Sequence, residues 1–100
     1  MEKRTLGEIS FGNTCAKAEL LETKNKLRIS FEMDGYDYVA TLSKSRDNKL
    51  MGGYTANSSD KYYTSGNLDV KAKIYQDDNA LSICGQWIED GGLYYFFFVS

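Results

Sequence analysis

The side chains best able to do chemistry in this 100-residue chain are its acids, its tyrosines and two cysteines, because it contains no histidine. That absence removes the usual neutral-pH general base and the commonest nitrogen ligand of zinc and copper. Triad hydrolysis and most transition-metal chemistry go with it. Asp34, Asp47, Asp77, Asp78 and Asp90 all fall in segments that read as turns, where aspartate serves by hydrogen-bonding nearby backbone. Asp77-Asp78-Asn79 fails as a calcium loop, since the sixth position is Ser82 where glycine is needed and Ile83 and Gly85 occupy later positions. There is no phosphate loop, no Gly-x-Ser-x-Gly and no Cys-x-x-Cys. The expectation is a protein without a catalytic centre, metal or other cofactor.

Cys15 and Cys84 are too few for a disulfide scaffold and are expected as reduced, structural thiols. Asn57-Ser58-Ser59 has the form of a glycosylation acceptor, a triplet common by chance. A formal charge of −2 gives no reason to expect nucleic acid or an anionic membrane as partner. No run approaches the length of a membrane span, and the charged start Met1-Glu2-Lys3-Arg4 does not resemble a signal peptide, so a cytoplasmic protein is expected. With 42% apolar residues, the chain has material for one modest core, a single domain over residues 1–100.

The elements that must position any site are strands. Leu27, Ile29, Phe31 and Met33 alternate with Lys26, Arg28, Ser30 and Glu32, and Asp34-Gly35, a favoured two-residue hairpin turn, follows at once. That turn would set Met33 against Tyr36, Phe31 against Tyr38, Ile29 against Ala40 and Leu27 against Leu42, with every apolar position on one face. Turning at Gly12-Asn13 pairs Phe11 with Thr14 and Ile9 with Ala16, and turning at Lys24-Asn25 pairs Leu20 with Ile29 and Ala18 with Phe31. A turn at Asp77-Asp78 would pair Ile74 with Leu81 and Ala72 with Ile83, and one at Gly91-Gly92 would pair Trp87 with Phe96. Around Arg46-Asp47-Asn48, a three-residue loop puts Leu50, Gly52 and Tyr54 inside, while a two-residue loop selects Met51 and Gly53; the first is preferred. A one-residue slip would turn a whole strand inside out, so consistency of facing across these turns is strong evidence.

The pattern predicts strands over 6–11, 15–23, 26–33, 36–45, 49–56, 66–76, 80–89 and 93–100, with one long connection over 57–65. An all-β, eight-stranded antiparallel up-and-down meander closing into a small barrel follows, because closure removes both edges; a two-sheet sandwich is the alternative. Gly52, Gly53 and Gly85 suit bends or bulges in such a sheet. The arrangement resembles the calycin-type barrels, which include lipocalins and the shorter avidin-like group. Gly85-Gln86-Trp87 has the form of the lipocalin Gly-x-Trp, but on the seventh strand where that family has it on the first, so no binding residue is carried over. A loose echo between Leu27–Gly35 and Leu81–Trp87 fits shared hairpin grammar.

The resemblance implies a small ligand inside the barrel. The expected inner face combines Tyr36, Tyr38, Tyr54, Trp87, Tyr94, Phe96 and Phe98 with Ala16, Ala18, Ala40, Gly52, Ala72 and Gly85. A narrow barrel either fills with its own side chains or holds one small ligand. With no charge inward in mid-strand, that ligand would be neutral and apolar or aromatic, with Tyr62 and Tyr63 of the long connection as a lid. A second reading uses the outer face, where Tyr95, Phe97 and Val99, with Ile88 and Cys84 beside them, form an aromatic band suited to a protein partner, as in an inhibitor or immunity-type module, or to a homodimer.

Overall fold

The computed structural model describes residues 2–58 and 63–100, with 63–68 as backbone only. Its strands are β1 (Lys3–Phe11), β2 (Thr14–Glu22), β3 (Lys26–Met33), β4 (Tyr36–Lys44), β5 (Lys49–Ser58), β6 (Tyr63–Gln76), β7 (Leu81–Glu89) and β8 (Gly92–Val99). Each pairs with the next, and β8 returns to β1 through Ile9–Phe98 and Phe11–Phe96, closing a barrel. Closure excludes the sandwich. Among the described residues no helix is long and apolar enough to cross a membrane.

The first hairpins take the expected registers. Met33 lies opposite Tyr36, Leu20 opposite Ile29 and Ile9 opposite Ala16. The preferred three-residue connection forms a short 3₁₀ turn at Arg46–Asn48, which places Leu50 and Tyr54 in the core. The β5–β6 register shifts between the pairs Gly52–Val70 and Tyr54–Gly66, where Gly53 alone stands against residues 67–69, so the extra length of this bulge lies on β6.

Two registers differ from expectation by two residues. Ile74 lies opposite Ile83, not Leu81, because Asp77 organises a longer turn: its Oδ1 accepts from the backbone N–H of Asn79 and Ala80, each at 2.9 Å, and its own N–H donates to the Ala80 carbonyl. Trp87 lies opposite Tyr94, not Phe96, because the tight turn is Asp90-Gly91. Both residues there have positive φ, at 50° and 78°, as Asp34 and Gly35 do at their turn. The side-chain period is two, so neither shift changes which face a residue occupies. The expected long connection is also shorter, since β5 extends to Ser58 and Asn57 pairs with Tyr63.

Inside, the barrel is divided along its length. Leu20, Leu27, Ile29, Leu42, Leu50 and Ile83 fill the half nearer the Arg46–Asn48 turn, while Phe11, Phe31, Tyr38, Tyr54, Trp87 and Phe96 fill the half nearer the Asp34-Gly35 and Asp90-Gly91 turns. Strand alternation explains why each residue points inward. The order of residues along the strands explains the division: β3, β5 and β7 each run from the aliphatic end toward the aromatic one.

Candidate functional site at the aromatic end of the barrel

Trp87 is the centre of the aromatic half. It is fully buried, with ring centroids of Tyr54 at 4.9 Å, Phe11 at 5.0 Å, Phe96 at 5.8 Å, and Phe31 and Tyr38 at 6.0 Å. Phe31 and Tyr38 stack at 4.9 Å, and Tyr94 stacks on Phe11 at 5.2 Å. These rings fill the barrel below its mouth, leaving their polar tips and the rim as the place where chemistry is available.

Glu89, at the end of β7, shares the inward face of Trp87 two residues before it. The Tyr38 hydroxyl donates to Glu89 Oε2 at 3.1 Å. Since β4 and β7 are three strands apart, this bond bridges the mouth between walls that do not touch in the sheet. The Trp87 indole N–H faces the same carboxylate and favours its charge without closing to hydrogen-bond geometry. Glu89 Oε1 and Trp87 Nε1 are both buried without a hydrogen-bond partner. Burial raises the Glu89 carboxyl above its ordinary range; the Tyr38 hydroxyl opposes the rise, the neighbouring Asp90 charge adds to it, and the Trp87 N–H opposes it. Burial, then the charge and hydrogen bond of Glu89, push the Tyr38 phenol above its usual value.

The residues expected to bind a ligand are therefore gathered at one end but not all enclosed. Tyr38, Tyr54, Trp87 and Phe96 are buried, and Tyr36 is half-buried and packs on Tyr38 with centroids 6.3 Å apart. Tyr94 has the inward parity but is 40% exposed, because its place near the β7–β8 turn leaves it at the rim. Tyr63 lies in strand β6, not in a loop, and Tyr62 lies outside the described residues. Glu89 was missed: the expectation of an uncharged interior holds in mid-strand, but Glu89 continues the alternation of Ile83, Gly85 and Trp87 to the strand end. That parity was the signal that could have found it.

The opposite end shows how a charge is usually accommodated. There Glu22 Oε2 lies 3.4 Å from Lys44 Nζ, beside a recess of about 140 Å³ that Leu50, Ile74 and Gln76 also line. On the outer wall, Tyr95 is 66% exposed and Phe97, Ile88, Leu93 and Val99 are exposed as well. Register brings them together, with Ile88 opposite Leu93 and Cys84 opposite Phe97. Both cysteines are free. Comparison with known protein families, characterised proteins and solved structures finds no match to this chain.

Proposed function

We propose that this chain is a small-ligand binding barrel that acts without turnover and takes its ligand at the aromatic mouth. The reading extends the resemblance to calycin-type barrels, with which the chain shares an eight-stranded antiparallel closed barrel. One observation carries it: Trp87 Nε1 and Glu89 Oε1 are buried and unsatisfied within a ring of aromatic side chains. Each such group costs about 1–3 kcal/mol, a cost that a bound molecule supplying the partner removes. Because the rings of Phe11, Phe31, Tyr54 and Trp87 occupy the space beneath, the ligand sits shallowly, inserting one polar group among Tyr36, Tyr38 and Tyr94. The test is amide and indole NMR of the labelled protein against a panel of small aromatic molecules. Shifts centred on Tyr38, Trp87 and Glu89 are expected; a panel that moves none of them refutes the reading.

A second reading is favoured by the exposed band of Ile88, Leu93, Tyr95, Phe97 and Val99, which is contiguous across two paired strands. Such a face suits a second copy of the chain. Sedimentation at rising concentration should then reveal a dimer that Phe97→Lys abolishes without loss of fold. A chain that stays monomeric throughout contradicts it.

A further inference from the structure

We infer that the ligand of the aromatic mouth is an organic cation, a protonated amine with an aromatic or aliphatic body, whose ammonium supplies the missing partner of Glu89 Oε1. The inference rests on the mouth being a binding site and adds the charge and class of what enters it.

Three observations converge. First, among the described residues no cation pairs with the carboxylate at the mouth. The ion pairs among the described residues are Arg4–Glu19 and Lys44–Glu22, and neither reaches Glu89. At the other mouth Glu22 has such a pair, Lys44 Nζ lying 3.4 Å from its Oε2. Second, the available hydrogen-bonding capacity at the carboxylate is that of an acceptor. Oε2 takes the Tyr38 hydroxyl, and Oε1 has no donor. An incoming ammonium brings several donors to Glu89 and leaves the Trp87 indole N–H facing that carboxylate, whereas an anion would meet Glu89 and the adjacent Asp90. Third, the rim is aromatic. Tyr36 and Tyr94 are the least buried of its rings and offer π faces to a cation as well as apolar surface to its body. Glu89 Oε1 is sealed from solvent, so the ammonium reaches it only as a rim side chain turns aside.

Both probes can donate to the charged carboxylate, but only the ammonium adds charge–charge attraction, so it should outbind its neutral counterpart by about tenfold. The probes are 2-phenylethylammonium and 2-phenylethanol, which share a body and differ in the polar group. Trp87, the only tryptophan, reports binding by its fluorescence, and NMR locates it. The ammonium should bind about tenfold more tightly than the alcohol, with a preference that weakens as salt rises and disappears in Glu89→Gln. Equal binding of the two probes, or a preference unaffected by salt, overturns the cation inference and leaves the mouth as a site for neutral ligands. Silence of the mouth towards both overturns the inference together with the reading beneath it. If Glu89→Gln fails to fold, Glu89→Asp, which keeps the charge on a shorter arm, should retain a salt-sensitive preference.

Discussion

Replacing Tyr38 by Phe removes one hydroxyl and keeps the ring that stacks on Phe31, so it isolates the bond that bridges the mouth. Glu89 then loses its donor to Oε2, while Oε1 already has none. Leaving a buried acceptor unpaired costs about 1–3 kcal/mol, and because Glu89 is only half-buried the lower end applies, about 1 kcal/mol. In a chain of this size that lowers Tm by about 4–8 °C. The sign of the pH dependence follows from which form the hydroxyl favours. It stabilises ionised Glu89, so its contribution is present above the carboxyl's titration range and shrinks as pH falls through it. Burial acts in the opposite sense: it raises the folded-state pKa of Glu89, so the stability linked to its protonation is present at low pH and lost as pH rises through that value. Glu89→Gln should therefore be more stable than wild type at pH 7, with the gap closing as pH falls. Urea unfolding of wild type, both single variants and the double variant, followed by Trp87 fluorescence at several pH values, measures the cycle. A Tyr38→Phe cost that is the same with and without Glu89, or that grows on acidification, would refute the bridge.

Other perturbations test the frame that holds the mouth. A methyl on Gly85 would lie 2.2 Å from the Lys71 carbonyl oxygen and 2.5 Å from the Ala72 Cβ, atoms fixed by the β6–β7 ladder. Gly85→Ala should thus cost about 3 kcal/mol, the upper part of the usual overpacking range, and a neutral effect in thermal unfolding would show that those strands do not approach as described. Asp77→Ala forfeits two backbone hydrogen bonds and should cost about 1 kcal/mol, while Asp78→Ala, whose side chain has no such part in the turn, should cost much less; equal costs would contradict the four-residue turn.

Much of this architecture is legible in the residues because alternation states facing directly. Ile9, Ile29, Ala40, Leu42, Ile83 and Trp87 all lie where their parity puts them. Parity cannot distinguish registers that differ by two, so Ile74 could be matched with Leu81 or Ile83 without exposing either strand's apolar face. Turn chemistry decides such cases: the Asp77 side chain caps a longer turn, and Asp90-Gly91 repeats the positive-φ pair of Asp34-Gly35. Depth along the barrel is also hidden from parity, which is why Tyr94 points inward yet stands at the rim. The Tyr38–Glu89 bond depends on closure, which alone brings the walls β4 and β7 to face each other. No local pattern connects residues 51 positions apart.

The central claim is that the aromatic mouth receives a ligand, and the Trp87 indole N–H reports on it most directly, because that group is buried, unsatisfied and unique in the chain. Its resonance in labelled protein should move progressively and saturate as 2-phenylethylammonium is added, with Tyr38 and Glu89 amides moving alongside. An indole resonance that stays in place up to millimolar ligand, or shifts confined to Tyr95 and Phe97 on the outer wall, would contradict the account.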